Sequence, residues 1–195
     1  GIGNFFNFMP TENNLYGCEL DNKAYKVARY LYPDANIVNQ DIRLYQPGIL
    51  FDYVLGNPPF NLKWWIEGSK EIKSQLYYCI KAHELLKPCG IMAIVVPSSF
   101  LSDDFIDGNV IADMNAKFRF LGQFSLPENA FSAMGVQSFP TKLQFWQKRK
   151  DAEDVSMPYC TDCPTSVTYE LTERINEAKE ALSSSRMDIL KATAH

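Results

Sequence analysis

Histidine is almost missing from this chain: His83 and His195 are the only two in 195 residues. That scarcity bears on metal binding. Cys160 and Cys163 form a CxxC pair in YCTDCP, but a zinc site needs two ligands more. No metal is expected. Long apolar runs are missing as well. Nothing approaches the roughly 18 residues that suggest a membrane span, and no basic and apolar leader opens the chain. A cytoplasmic protein is expected. Positive charge is in short supply: 19 Lys and Arg face 23 Asp and Glu, for a net charge of −4. A module that grips nucleic acid alone carries a basic face. If this chain acts on nucleic acid, the grip comes from another domain or subunit, or from a local patch. Repeats and low-complexity tracts are absent, and so is a GxGxxG pyrophosphate cradle.

What remains is an ordinary globular composition, 46% hydrophobic and 22% charged. The length suits one compact domain with a short appendage. Cys18, Cys79 and Cys89 sit among apolar neighbours and read as reduced, buried thiols. Strands are expected at Asn14–Leu20, at NIVNQDI, at FDYVLGN and at GIMAIVVP, the last as a buried parallel strand. FRFLGQFSLP and the stretch Val136 to Lys148 follow as strands, the latter half of a hairpin. Helices are expected after Asp21 with Val27, Ala28 and Leu31 buried, from Ser69 to Leu86, and from Asp103 to Asn115. The alternation predicts a doubly wound α/β sheet, mostly parallel, with a terminal antiparallel hairpin and its first strand missing. Residues 1–150 read as the catalytic domain. Residues 151–195 read as a polar linker and a helix, Thr172 to Lys191, that packs on an absent partner.

Polar groups gather where such sheets bind ligands, at the carboxyl ends of strands. Gly1 and Gly3 make a turn that lets backbone approach a ligand, or merely a tight structural turn. Glu19 ends the next strand and can accept both hydroxyls of a ribose. Asp41, with the backbone N–H of Ile42, can read the amino edge of an adenine. With no phosphate cradle, S-adenosylmethionine suits this set better than a dinucleotide.

The stretch VLGNPPF, Val54 to Phe60, is the most unusual in the chain. Two prolines cannot extend a sheet ladder. Suppose the substrate is an exocyclic amine on a planar base. The Asn57 side-chain oxygen and the Pro58 carbonyl can each accept one N–H, which aims the nitrogen lone pair at a methyl group. Pro59 helps to hold the acceptors rigid. Phe60 can stack on a base flipped out of its helix. Trp64 and Trp65 border this pocket or pack as a lid or core. His83 reads as half-buried packing, and Lys148, Arg149 and Lys150 as a solvated strand end.

In this order the glycine loop, Glu19, Asp41 and Asn57-Pro58-Pro59-Phe60 resemble the motifs of adenine-N6 DNA methyltransferases. LPENAFSAMGVQSFPTKLQFWQK looks like the end of the catalytic domain in type I and related restriction-modification methylases, where it lines the target-base pocket. GIMAIVVPSSFL is similar to their strand and Pro-Ser segment. The short gap between Asp41 and Asn57 resembles the gamma arrangement, with recognition following catalysis. The resemblance implies methylation of adenine N6 in DNA, with S-adenosylmethionine as cofactor and a recognition domain or subunit outside this chain. Guanine-N2 rRNA methylases and protein-glutamine methylases carry similar tetrapeptides and remain alternatives, as does an inactive fragment.

Overall fold

The computed structural model describes residues 1–193 apart from 10–13, 66–70, 103–107, 133–134 and 136–138. Contacts divide the chain into two units, Gly1–Ile49 and Leu50–His195. Composition placed a change near Lys150, whereas the contacts keep residues 151–195 with the second unit.

In the first unit, β1 (Tyr16–Glu19) pairs in parallel with β2 (Asn36–Asn39), in the register Glu19 to Asn39. Between them runs α1 (Asn22–Leu31). Asp21 starts this helix as expected: its carboxylate accepts from the Ala24 amide at 2.7 Å. The buried face differs from the expected one. Ala28 is buried, but Val27 and Leu31 are more than two-fifths exposed. The small core consists of Ala28, Tyr32, Ala35 and Ile37, backed by Phe6, Leu15 and Tyr25. Tyr25, Ala28 and Tyr32 share one helical stripe, and the two tyrosine rings pack on the side that Val27 and Leu31 do not face.

The second unit is built on a four-stranded sheet of order β3-β6-β8-β7. These strands are β3 (Phe51–Gly56), β6 (Leu86–Pro97), β7 (Phe118–Ser125) and β8 (Thr141–Lys148). β3 runs parallel to β6, while β6–β8 and β7–β8 are antiparallel, which gives the expected terminal hairpin. β6 is therefore central but only parallel on one side. A small hairpin, β4 (Lys63–Trp65) with β5 (Glu71–Lys73), leads into α2 (Ser74–Leu85). Ile72 thus lies in a strand opposite Trp64 and not in the helix that its spacing suggested. The start of the helix expected at Asp103 and the start of the strand expected at Val136 lie outside the described residues. Their remainders are α3 (Gly108–Lys117) and β8.

The main core gathers Leu86, Met92, Ile94, Val96, Phe118, Phe120 and Trp146, with Cys79 among them. Burial pushes the Cys79 thiol up to about 12. Cys89 is buried too, and Cys18 is half-buried, its thiol donating to the Gln40 carbonyl at 3.2 Å. The helix α4 (Tyr169–Thr193) packs on this unit, contrary to the expectation of an absent partner. Leu171 and Ala178 join Ile91 and Leu121 in a second core. Gly122, at φ +147°, makes room: a Cβ there would stand 2.9 Å from Leu171 Cδ1.

The segment between β8 and α4 is also seated. Tyr159 stacks on Trp146 at 5.8 Å. The buried Gln123 amide donates to the carbonyls of Cys160, Thr161 and Asp162 at 3.1–3.3 Å and accepts from Gln144. Gln144 in turn accepts from the Trp146 indole. The expected solvated end at 148–150 is mostly engaged. Lys148 donates to the carbonyls of His83 and Leu86 and so captures the negative end of α2. Arg149 is 6% exposed and donates to Asn115 and Ser156, while Lys150 is exposed. His83 lies half-buried against Phe118, as expected. Burial, with Lys148 and Lys117 nearby, holds its pKa below the ordinary range.

Candidate active site

In the first unit the expected cofactor residues meet at one sheet edge. Glu19 ends β1, and Asp41 follows two residues after β2. The strands are parallel, so both carboxylates stand at the ligand-binding end. The Gln40 amide donates to the Glu19 carbonyl at 3.0 Å and ties these ends together. The glycine loop reaches the same place, where Gly1 lies against the Glu19 carboxylate. That carboxylate also accepts from the Asp21 amide at 2.6 Å.

Gly3 is left-handed at φ +87°, and a Cβ there would lie 2.8 Å from the Tyr32 ring. Its glycine is thus required by packing within the unit. Asp41 caps a short turn, Ile42–Leu44, and accepts from the Arg43 amide at 2.9 Å. The Arg43 guanidinium closes on the same carboxylate, with Nε at 3.0 Å from both oxygens. This partner holds the Asp41 carboxyl below its usual range. Ile42 opens the turn, where amides have no partner inside the turn. Two carboxylates and a turn amide at one edge fit the hydroxyls and amino group of an adenosine.

In the second unit, Gly56 pairs with Ile94 as the last register pair of β3, and Asn57 follows at once. Asn57 and Pro59 are exposed, Pro58 is buried and Phe60 half-buried. The loop is clamped by the start of α2, which the sequence did not flag. The Ser74 hydroxyl donates to the Pro59 carbonyl at 2.6 Å. Gln75 accepts from the Asn61 amide at 3.0 Å and donates to the Asn61 side chain at 3.2 Å. Asn61 itself is left-handed, at φ +58°. Both clamping residues are buried, Ser74 fully and Gln75 2% exposed. Among the described residues, no hydrogen bond uses the Asn57 side chain or the Pro58 carbonyl. The clamp holds Pro59 and Asn61 and does not engage those two acceptors.

Beside the loop lies a cleft of about 440 Å³ lined by Asn61, Lys73, Pro97, Ser98, Phe139 and Pro140. It forms where β6 ends and β8 begins: Pro97 pairs with Thr141, and the Ser98 amide donates to the Pro140 carbonyl at 3.0 Å. The ring of Phe139 stacks on Phe60 with centroids 5.5 Å apart and planes 15° from parallel. Phe139 was not singled out by sequence; only the stretch around it was. Trp64 packs against Tyr77 and Tyr78, whereas Trp65 is 71% exposed.

The profile of the N-6 DNA Methylase family matches residues 9–170. The chain belongs to the N-6 DNA Methylase family. S-adenosylmethionine is the cofactor expected of a family member. The chain is 32% identical over 105 residues to modification methylase CviBIII of Paramecium bursaria Chlorella virus NC1A. That match covers 48% of this chain and 27% of the viral protein, so the chain spans about a quarter of that relative's length. Solved structures share the family fold. One is described as a class I S-adenosylmethionine-dependent methyltransferase from Listeria monocytogenes, with a TM-score of 0.62 at 14% identity. It covers 94% of this chain and 59% of that one. Another is the methyltransferase subunit of a type I restriction-modification system from Streptococcus thermophilus, with a TM-score of 0.55 at 19% identity. It covers 85% of this chain and 42% of that one. The α/β methyltransferase fold expected for this N-6 DNA Methylase family member is the one observed.

Proposed function

We propose that this chain is the catalytic part of a restriction-modification methylase that methylates the N6 amino group of adenine in DNA. The observation that carries this reading is the clamped Asn-Pro-Pro-Phe loop, with Asn57 exposed at a strand end and Phe60 beside an aromatic cleft. When bound, S-adenosylmethionine supplies an electrophilic methyl group. Glu19 would hold its ribose, Asp41 and the Ile42 amide its adenine, and the loop of Gly1 and Gly3 its flank.

The Asn57 oxygen and the Pro58 carbonyl each accept one N–H of the adenine amine. Those bonds draw the nitrogen toward tetrahedral geometry and free its lone pair for the new N–C bond. The methylated nitrogen then loses a proton to solvent, so no histidine is needed. The buried Pro58 and the Ser74 clamp keep the acceptors in place before substrate arrives, which is where their catalytic advantage lies. Phe60 and Phe139 provide the aromatic faces for a flipped base. We assign the chemistry to residues 1–150 and treat 151–195 as an extension seated on the sheet. Sequence recognition belongs to a domain or subunit outside this chain, in keeping with its net charge of −4. No helix among the described residues is long and apolar enough to cross a membrane, and we place the protein in the cytoplasm.

The test uses the full-length protein, tritiated S-adenosylmethionine, and DNA, ribosomal RNA and protein as acceptors. Label on N6-methyladenine in DNA is expected. Label that reaches guanine in RNA or glutamine in protein, and never adenine in DNA, overturns the reading.

A further inference from the structure

The hairpin β4–β5 places two tryptophans in opposite situations. Residues directly opposite on an antiparallel pair share a face. Trp64 and Ile72 form one such pair and face inward, where Trp64 packs on Tyr77 and Tyr78 of α2. Lys63 with Lys73, and Trp65 with Glu71, occupy the other face. Trp65 is 71% exposed there. An indole that large is ordinarily well buried.

The outward face is not an apolar patch. Lys63 forms an ion pair with Glu71 at 3.1 Å, and Lys73 lines the cleft beside Asn61. A broad, exposed ring is the kind of platform on which a base stacks whatever its sequence. The hairpin is also held to the catalytic loop. The Ser74 amide donates to the Leu62 carbonyl at 2.7 Å, and the Ser74 hydroxyl holds Pro59. One helix, α2, thus anchors both Trp64 and the Asn-Pro-Pro-Phe loop.

We propose that Trp65 stacks on a DNA base next to the flipped target, supporting the unstacked duplex at the rim of the cleft. The proposal rests on the reading of this chain as a DNA adenine methylase. Trp65 touches no reacting atom; it lowers the cost of holding the target out of the helix.

The test uses the full-length protein and a duplex carrying one adenine site mapped from methylated genomic DNA. The target is either paired or mismatched. Trp65→Leu keeps apolar bulk without the ring, and Trp65→Phe keeps a ring. With the paired target, Trp65→Leu should raise KM for DNA about tenfold, and Trp65→Phe should recover most of that loss. S-adenosylhomocysteine binding should not change. With the mismatched target the deficit should shrink, because unpairing is already paid for. If Trp65→Leu matches the wild type on the paired duplex, the proposal is overturned while the adenine reading stands. A deficit in Trp65→Leu that stays the same on the mismatched duplex also overturns it. If the wild type labels no adenine in any DNA, the adenine reading falls and this proposal falls with it.

Discussion

The two units solve the problem of holding functional groups in different ways. Among the described residues, the first unit, Gly1–Ile49, has one small core cluster around Ala28, Tyr32, Ala35 and Ile37, and its candidate cofactor groups sit near the surface. Glu19 and Asp41 are oriented by contacts from residues close in sequence. Among the described residues, the second unit, Leu50–His195, has a main core cluster of twelve buried residues, a second cluster beside α4, and buried amides that hydrogen-bond across the sheet. Its Asn-Pro-Pro-Phe loop is fixed by the buried Ser74 and Gln75. The difference teaches where rigidity is needed. Acceptors that act only in the transition state must be fixed beforehand. Groups that bind a cofactor can be completed by the cofactor itself.

The hardest blow to that contrast is Trp146→Ala. Trp146 is fully buried and touches Phe118, Phe120 and Tyr159. Its loss should cost about 3–5 kcal/mol, read by urea unfolding. The contrast breaks if the first unit loses as much protection in hydrogen exchange as the second. Asn57→Ala comes next. It should lower kcat about 100- to 1000-fold in the full-length enzyme, as for loss of one preorganised transition-state contact. S-adenosylhomocysteine affinity should hold; an equal loss of affinity would show that Asn57 serves the cofactor.

Cofactor analogue then probes the thin unit directly. At one hundred times its Kd, S-adenosylhomocysteine should add about 2.7 kcal/mol of protection. Amide exchange should place this gain mainly between Glu19 and Asp41, and a gain confined to the second unit contradicts the division of roles. The smallest effect concerns Asp41 and Arg43. The folded carboxyl pKa is depressed, so the pair stabilises the protein above the ordinary carboxylate pKa. That contribution disappears as pH falls through the depressed value. Arg43→Ala should therefore cost about 0.5 kcal/mol or less at pH 7, since the pair faces water. Once pH falls below the depressed Asp41 value, its melting temperature should approach that of the wild type.

Much of this molecule was legible in the sequence because its signals are local. The Asp21 cap, the β6 apolar run and the Asn-Pro-Pro-Phe loop each carry their cause within a few residues. What escaped depends on distant partners. Ile72 has helical spacing, yet it lies in a strand because Trp64 stands opposite it. Val27 and Leu31 outrank Tyr25 and Tyr32 in hydrophobicity, but the small core selects ring shape. Ser74 and Gln75 gave no warning of the clamp, since the loop they hold precedes them by about fifteen residues. Phe139 became visible only when the sheet brought it over Phe60.

The seam from Trp146 through Gln144 and Gln123 to the carbonyls of residues 160–162 has a consequence for how such proteins exchange parts. Recombination that grafted a new module directly after Lys150 would uncover the Trp146 face and strip three acceptors from a buried amide. The inherited piece must therefore extend through the seated segment and the packed turns of α4. A graft that spares this core keeps residues 151–185 with the sheet, since Leu171, Ala178, Leu182 and Ser185 of α4 are buried.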